Sequence, residues 1–375
     1  MNLLRILGLA GAALLSLSLQ LACVDAANGG STSGTALYVF DGSSVRAWDD
    51  TATLYANIIS GGDTAPSRTI TSSTLTDNIT SPAIGGVCMD ISAKRLFVVD
   101  SAGTVVRIER ANQQSGDLTS QTDIAAFTLD SGERLDGSSF GQAAVDPQTG
   151  TLYVTEKGTS ETRIWAVASP GSFGGLYQLS TVPLQALRTT SADVLSGGPD
   201  KGGTGVAVSQ GKVYAYFSGG TKVPSTSGDY YTGARLRVGT ASAFGSQVIV
   251  GTSTTLTDTG TGGCLALDTG NNLVYVFRQN ALAASGGPIA VFSTGDFTSG
   301  YDQAPTRFLG SSTTQPNLRI IAHGGNKDWL GGADYVTSAF STRLWIWKNP
   351  SEGGDPQSLT LTSGAISGLA FDGSN

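Results

Sequence analysis

A short strand pattern recurs along almost the whole chain. One version reads Leu37-Tyr38-Val39-Phe40-Asp41, Leu96-Phe97-Val98-Val99-Asp100, Leu152-Tyr153-Val154-Thr155-Glu156, Val213-Tyr214-Ala215-Tyr216 and Val274-Tyr275-Val276-Phe277, with a weaker copy at Asp334-Tyr335-Val336-Thr337. These runs are rich in β-branched and aromatic residues and too short for helices. Upstream of each lies a second run centred on a small residue: Cys88, Ala144, Ala207, Ala266, Ala322 and Ala370. From 88 to 370 is 282 residues in five steps, a mean period of about 56. The last of these runs, Gly368 to Asp372, has its partner strand at Leu37 to Asp41, so a repeat begun at one terminus is finished at the other.

Several strands in each repeat of this length point to an all-β, six-bladed propeller with four-stranded antiparallel blades, closed by pairing of the terminal strands. The third strand carries a recurrent arginine, as in Val45-Arg-Ala-Trp48, Thr162-Arg-Ile-Trp165 and Thr342-Arg-Leu-Trp345. The Arg follows the second-strand aromatic by 8 residues at Tyr38 and Tyr335, and by 10 at Phe97 and Tyr153. The even counts place it on one sheet face. The outer strand repeats as Ala65-Pro-Ser-Arg to Thr74 and Ala304-Pro-Thr-Arg to Thr313, with Pro on an edge where a missing N–H costs no ladder bond.

The run Leu152-Tyr-Val-Thr-Glu-Lys-Gly-Thr-Ser-Glu-Thr-Arg-Ile-Trp165, after Ala144-Val-Asp-Pro-Gln-Thr-Gly150, resembles the YVTN and NHL class of bacterial β-propeller repeats. The resemblance covers nearly everything from Ala36 onward. It implies the fold rather than a reaction, because propellers of this kind include surface-layer proteins, lipoproteins, scaffolds and some enzymes.

Only 14% of residues are charged against a usual quarter, while Gly reaches 51 of 375, as turn-rich sheet requires. With 29 acidic and 22 basic residues and no basic run, nucleic acid is not an expected partner.

Residues 1–26 read as a targeting segment: Arg5 precedes an apolar stretch from Ile6 to about Leu19, short for a membrane span and suited to a signal h-region. Leu19-Gln-Leu-Ala-Cys23 resembles a bacterial lipobox, which implies a lipid on Cys23, although Gln20 stands where that motif prefers Leu. Cleavage after Ala26 also satisfies the small-x-small rule. Either route exports the chain: to a membrane surface of the cell envelope in the first case, to a secreted or periplasmic state in the second. Residues 27–35 read as a flexible tether and residues 36–375 as a single propeller domain.

Cys88 and Cys264 then remain. They fall on inner strands of blades three apart, too distant for a disulfide, and read as buried small apolar residues. Asp90, Asp146, Asp268 and Asp372 end inner strands and could suggest a ring of metal ligands. Each precedes a turn, however, where Asp bonds its own backbone, so no metal or cofactor is expected.

His323 is the single histidine, so any triad or histidine base must use it. It sits in an apolar register, which favours a packed or channel-facing structural role. The following segment, Gly324 to Gly332 with Asp328 and Trp329, reads as a turn lengthened by four residues before Tyr335 and a place for a specialised pocket. Trp48, Trp165, Trp345 and Trp347 follow strand spacing and read as packing between blades.

Long loops at Leu187 to Thr204, Ser218 to Gly233 and Gln279 to Pro288 would converge on one channel mouth, the second carrying Asp229, Tyr230 and Tyr231. The favoured reading is an exported, membrane-anchored, non-catalytic propeller that binds a protein or small-molecule partner through loops on one face. A metal-dependent hydrolase or lactonase and a purely structural envelope component are the alternatives.

Overall fold

The computed structural model describes residues 34–130, 135, 137–158, 162–168, 170–172, 175–178, 201–219, 221–223, 230–232, 235–240, 248–250, 264–277, 287–295, 305–311, 318–324, 329–334, 342–361 and 365–373. Six sheets follow one another along the chain. The first begins with β1 (Leu37–Phe40), β2 (Val45–Trp48), helix α1 (Thr51–Ser60), β3 (Arg68–Thr71) and helix α2 (Ser73–Asn78). The second holds β4 (Pro82–Asp90), β5 (Arg95–Asp100), β6 (Thr104–Ile108) and β8 (Ile124–Asp130), while the two-residue β7 (Gly116–Asp117) that lies between β6 and β8 in the chain belongs to the first sheet. β9 (Ser139–Val145), β10 (Leu152–Lys157) and β11 (Thr162–Val167) make the third, followed by β12 (Gly175–Gln178).

The fourth is β13 (Lys201–Ser209), β14 (Lys212–Gly219), β17 (Arg235–Thr240) and β18 (Val248–Val250), with a separate two-stranded hairpin of β15 (Thr221–Val223) and β16 (Tyr230–Thr232) between β14 and β17 in the chain. The fifth is β19 (Leu265–Asp268), β20 (Leu273–Phe277), β21 (Ile289–Ser293) and β22 (Arg307–Leu309). The sixth is β23 (Leu318–His323), β24 (Trp329–Asp334), β25 (Thr342–Lys348) and β26 (Pro356–Leu361). The last strand, β27 (Gly368–Phe371), returns to pair antiparallel with β1, Phe371 facing Leu37 and Gly368 facing Phe40.

The inner strands pack in an unbroken cycle, β27 on β4, β4 on β9, β9 on β13, β13 on β19, β19 on β23 and β23 on β27. The chain is therefore a six-bladed β-propeller whose first blade is completed by its last strand, as the split repeat requires. The closure is reinforced at both ends of β27: Ser367 N–H donates to Phe40 O, Asp372 N–H to Ala36 O, and Gly85 N–H of the neighbouring blade to Ser367 O.

The central pair of each blade explains the repeat. Cys88 faces Phe97, Ala144 faces Tyr153, Ala207 faces Tyr214, Ala266 faces Tyr275 and Ala370 faces Tyr38 across their ladders. A small residue on the crowded inner strand leaves room for the aromatic beside it, and these aromatics are buried between blades. Gly368 shows how tight the inner ring is. A Cβ there would collide with Val87 of the neighbouring blade. Gly368→Ala should therefore cost about 1–3 kcal/mol, read as a lower urea midpoint with unchanged m-value; an unchanged midpoint would mean that the inner strands yield.

Blade 6 departs from the expected register. Ala322 faces Gly331, not Tyr335, and the second strand is Trp329–Asp334. The turn after His323 is therefore not lengthened: five residues separate β23 from β24, against four between β4 and β5 and six between β9 and β10. A Cβ on Gly331 would lie 3.0 Å from Leu369 Cδ1 and 3.1 Å from the Phe371 ring. The neighbouring blade thus supplies from its inner strand the aromatic that blade 6 lacks.

The arginine expectation also fails. Phe97 faces Arg107 directly, whereas Tyr38 faces Ala47, which puts Arg46 on the other sheet face. Parity does not carry across hairpins with different turns. Arg46 instead pairs with Asp41 at 2.9 Å, and Arg107 with Glu109 at 2.8 Å.

Two blades carry a fifth strand. β7 adds in parallel to β3, and β12 adds in parallel to β8. Each added segment follows the third strand of the next blade, so successive blades are tied by capping the outer edge of the preceding one. The expected outer strand at Ala65–Thr74 is limited to Arg68–Thr71, because Ser72 caps α2 through its side chain. α1 packs against β26 and is bounded by Asp50, which accepts from Ala52 N–H, and by Gly61 at φ 70°.

Candidate functional site

Each inner strand is terminal in its sheet, so one backbone edge of every blade faces the ring axis. The six edges enclose a cavity of about 380 Å³. Its lining comes from the later part of each inner strand and from the turns that follow, including Ile91, Gln148, Gln210, Thr269 and Gly373 at the rim. The cavity therefore opens on the face that carries the turns between first and second strands.

The opposite end is closed by Gln142. From blade 3 its buried side chain reaches blades 4 and 5: Nε2 donates to Leu265 O at 2.7 Å, and Oε1 accepts from Leu265 N–H at 2.8 Å and Val206 N–H at 3.0 Å. A single carboxamide thus satisfies three edge groups that no neighbouring strand pairs. Glycines let the strands converge at this level. A Cβ on Gly205 would lie 2.8 Å from Leu265 N, and one on Gly85, at φ +73°, would lie 3.1 Å from Cys264 Sγ. Gln142 was not singled out from the sequence, although a signal is there. The equivalent position, two before the small residue, is Gly86, Gly205, Cys264, Ile320 and Gly368 in the other blades. A carboxamide among Gly, Cys and Ile marks the floor.

The walls are Val87, Ala144, Val208, Leu267, Ala322 and Phe371 among others, and no Asp, Glu, Lys or Arg is among the described lining residues. The four inner-strand aspartates are buried, and three of them are turned into their own loops. Asp90 accepts from Ser92 Oγ and Ala93 N–H, Asp146 from Gln148 N–H and Thr149 Oγ1, Asp268 from Asn271 N–H and Nδ2, and Asp372 from Ala36 N–H. Asp90, Asp146 and Asp268 cap their own turns as expected, whereas Asp372 departs from that expectation and bonds across the ring closure to the start of β1. Among the described residues no cluster of three or more His, Cys, Asp or Glu side chains could hold a metal ion.

His323 lines the cavity wall next to Asp268, its Nε2 3.5 Å from Asp268 Oδ2, with both side chains 1% exposed. Its ring stacks on Tyr275, with centroids 5.5 Å apart and planes 14° apart, and the Tyr275 hydroxyl also lies 3.5 Å from Asp268 Oδ2. The cluster joins blades 5 and 6, so the His323 side chain is packed between blades, with its ring nitrogens buried.

Trp329 does not join it: its ring meets Tyr55 of α1 edge-on at 5.5 Å. Asp328, Asp229 and Cys23 lie outside the described residues, as do most residues of the three long loops. Tyr230 and Tyr231 lie on β16, opposite Val223 and Lys222, so part of that segment is a hairpin rather than a loop. The hairpin follows Gly219, the end of β14 remote from the turn after Ser209, and so lies at the opposite end of the blade from the cavity mouth.

Cys88 and Cys264 are buried free thiols, with burial pushing both up, Cys264 to about 12. Neither is activated for nucleophilic chemistry. The tryptophans are structural: Trp165 Nε1 donates to the fully buried Glu156 at 2.7 Å, Trp345 Nε1 to Asp334 at 2.9 Å and Trp48 Nε1 to Thr64 O at 3.0 Å.

No protein-family model and no curated protein matches the chain. Among solved structures it is similar to a chain of the nidogen/laminin complex at 9% identity and TM-score 0.47, covering 90% of this chain and 98% of that one. TolB from Acinetobacter baumannii shares 13% identity at TM-score 0.47, over 94% and 70% of the two chains. The PQQ-bound aldose sugar dehydrogenase from Streptomyces coelicolor shares 14% at TM-score 0.45, over 78% and 85%. The six-bladed propeller rests on the strand pairing of this chain itself, with its cavity closed at one end by Gln142.

Proposed function

We propose that this protein is an exported, lipid-anchored, non-catalytic propeller of the YVTN/NHL-like kind that captures a ligand or partner at one end of its ring. The carrying observation is the one-ended axial cavity, open on a single face and with no Asp, Glu, Lys or Arg among its described lining residues. Concave, largely preformed sites with few convergent polar groups are suited to binding. Catalysis by acid, base or nucleophile would need groups that converge, and Asp90, Asp146 and Asp268 beside the cavity are engaged in their own turns while the described thiols are buried.

Native mass spectrometry of protein purified from its own envelope tests this reading. The wild type should carry an added mass that Ala144→Phe lacks, because Ala144 is a partly exposed wall residue and a phenyl ring there fills the cavity. No retained mass on the wild type, and no partner affected by Ala144→Phe, would reject it. If the partner instead docks on the hairpin face, Tyr230→Ala with Tyr231→Ala lowers affinity at least tenfold, about 1.4 kcal/mol, while Ala144→Phe does not.

Export and anchoring rest on the apolar stretch after Arg5 and on the Leu19 to Cys23 motif. Among the described residues no helix is long and apolar enough to cross a membrane. A lipid on Cys23 would hold the propeller at a membrane surface, each buried CH₂ contributing about 0.8 kcal/mol. The wild type should partition into detergent and Cys23→Ser into the aqueous phase. A wild type that is already aqueous would favour cleavage after Ala26.

A further inference from the structure

The cavity's shape and chemistry narrow what it takes. We infer that the ring binds one small uncharged molecule, with an apolar body and a neutral hydrogen-bonding group, end-on in the axial cavity; this inference rests on the proposed binding function. Size comes first. About 380 Å³ lies at the low end of the range of small-molecule sites, enough for a fused-ring compound and too little for a folded element of a partner.

Charge is decided by the lining. An ion brought into the cavity loses hydration and meets no opposite charge, since the lining has no Asp, Glu, Lys or Arg and the nearby Asp90, Asp146 and Asp268 carboxylates are occupied by their own turns. The Gln142 floor has the same consequence. Its Oε1 already accepts two N–H groups and its Nε2 already donates to Leu265 O, so the closed end has little polar capacity left for a charged head.

The other polar side chains are Ser209, Gln148, Gln210 and Thr269 toward the rim, and His323, whose ring is packed against Tyr275. The walls between combine Val, Ala, Leu and Phe side chains with the backbone edges of the inner strands, so an apolar body can replace part of the cavity water while neutral hydrogen-bonding groups answer the edge N–H and C=O. His323 is held by its stack on Tyr275 and by Asp268, so its imidazole is a fixed element of the wall. A ligand with its rings among Ala144, Leu267 and Ala322 can turn a neutral donor or acceptor toward the rim or toward the backbone edges of the inner strands. The mouth on the turn face is the route in, because the opposite end is stitched shut.

The experiment is a fluorescence titration of the full exported chain with N-phenyl-1-naphthylamine, a neutral fused-ring amine, and with 8-anilino-1-naphthalenesulfonate, its anionic relative. The expected result is saturable one-site binding of the neutral probe, with the anionic probe at least tenfold weaker. Ala144→Phe should weaken the neutral probe at least tenfold, measured below the melting temperature of the variant, which crowding against Tyr153 lowers. If that variant does not fold, Ala322→Leu on the opposite wall serves the same purpose. Absence of saturable binding, equal binding of both probes, or binding unaltered by a folded wall variant would overturn the inference. If native mass spectrometry then still showed a retained charged ligand or a protein partner, the binding function would stand and the ligand class alone would fall.

Discussion

Removing residues 366–375 should abolish cooperative folding. The deleted segment buries Ile366, Leu369, Ala370 and Phe371, and its ladder to β1 closes the ring. Deleting single large core side chains costs about 2–5 kcal/mol each, so the segment outweighs a net stability of about 5–15 kcal/mol. The exposed edge of β1, carrying Leu37 to Phe40, then becomes a template for aggregation. Calorimetry and light scattering should show no sharp transition and early aggregation, and a truncated chain that melts like the wild type would refute ring closure as the source of stability. The milder Phe371→Ala should cost about 3–5 kcal/mol, toward the top of the usual range. It opens a gap beside Gly331, which has no side chain to move into it.

The second large effect is expected at Gln142. Gln142→Met keeps the approximate shape and removes the hydrogen bonds to Leu265 O, Leu265 N–H and Val206 N–H. Unsatisfied buried groups cost about 1–3 kcal/mol each. Water reaching them from the cavity offsets part of this, so about 2–4 kcal/mol should be lost in total, with a melting temperature several degrees lower. Amide exchange separates this from general loosening: Val206 and Leu265 should lose protection while the β1–β2 amides keep theirs. Unchanged melting together with unchanged protection would remove Gln142 from its role as the floor.

Much of the architecture is local and was therefore legible. Tyr38, Phe97, Tyr153, Tyr214 and Tyr275 recur because each packs beside a small inner-strand residue, and that pairing constrains residue type at every repeat. The turn-capping aspartates were legible for the same reason, since Asp146 meets its partners at Gln148 and Thr149, two and three residues on. The helix at Thr51–Ser60 went unread despite its Asp50 and Gly61 boundaries, because the repeat pattern favoured strand throughout.

The sequence by itself determined the strand pattern and the number of blades, which follow from side-chain alternation and a spacing of about 56 residues, and the pairing of the two termini, which follows from one repeat being divided between them. Only the tertiary structure decided the register of blade 6, the cross-blade edge strands β7 and β12, and the closed end of the cavity. Those features join residues far apart in the chain. Gly331 is tolerable because Phe371 fills its place, and Gln142 becomes a floor because Leu265, 123 residues away, presents unpaired edge groups to it. Spacing along a chain encodes what neighbours require of each other, whereas a site on the ring axis exists only once six separate strands have been brought around it.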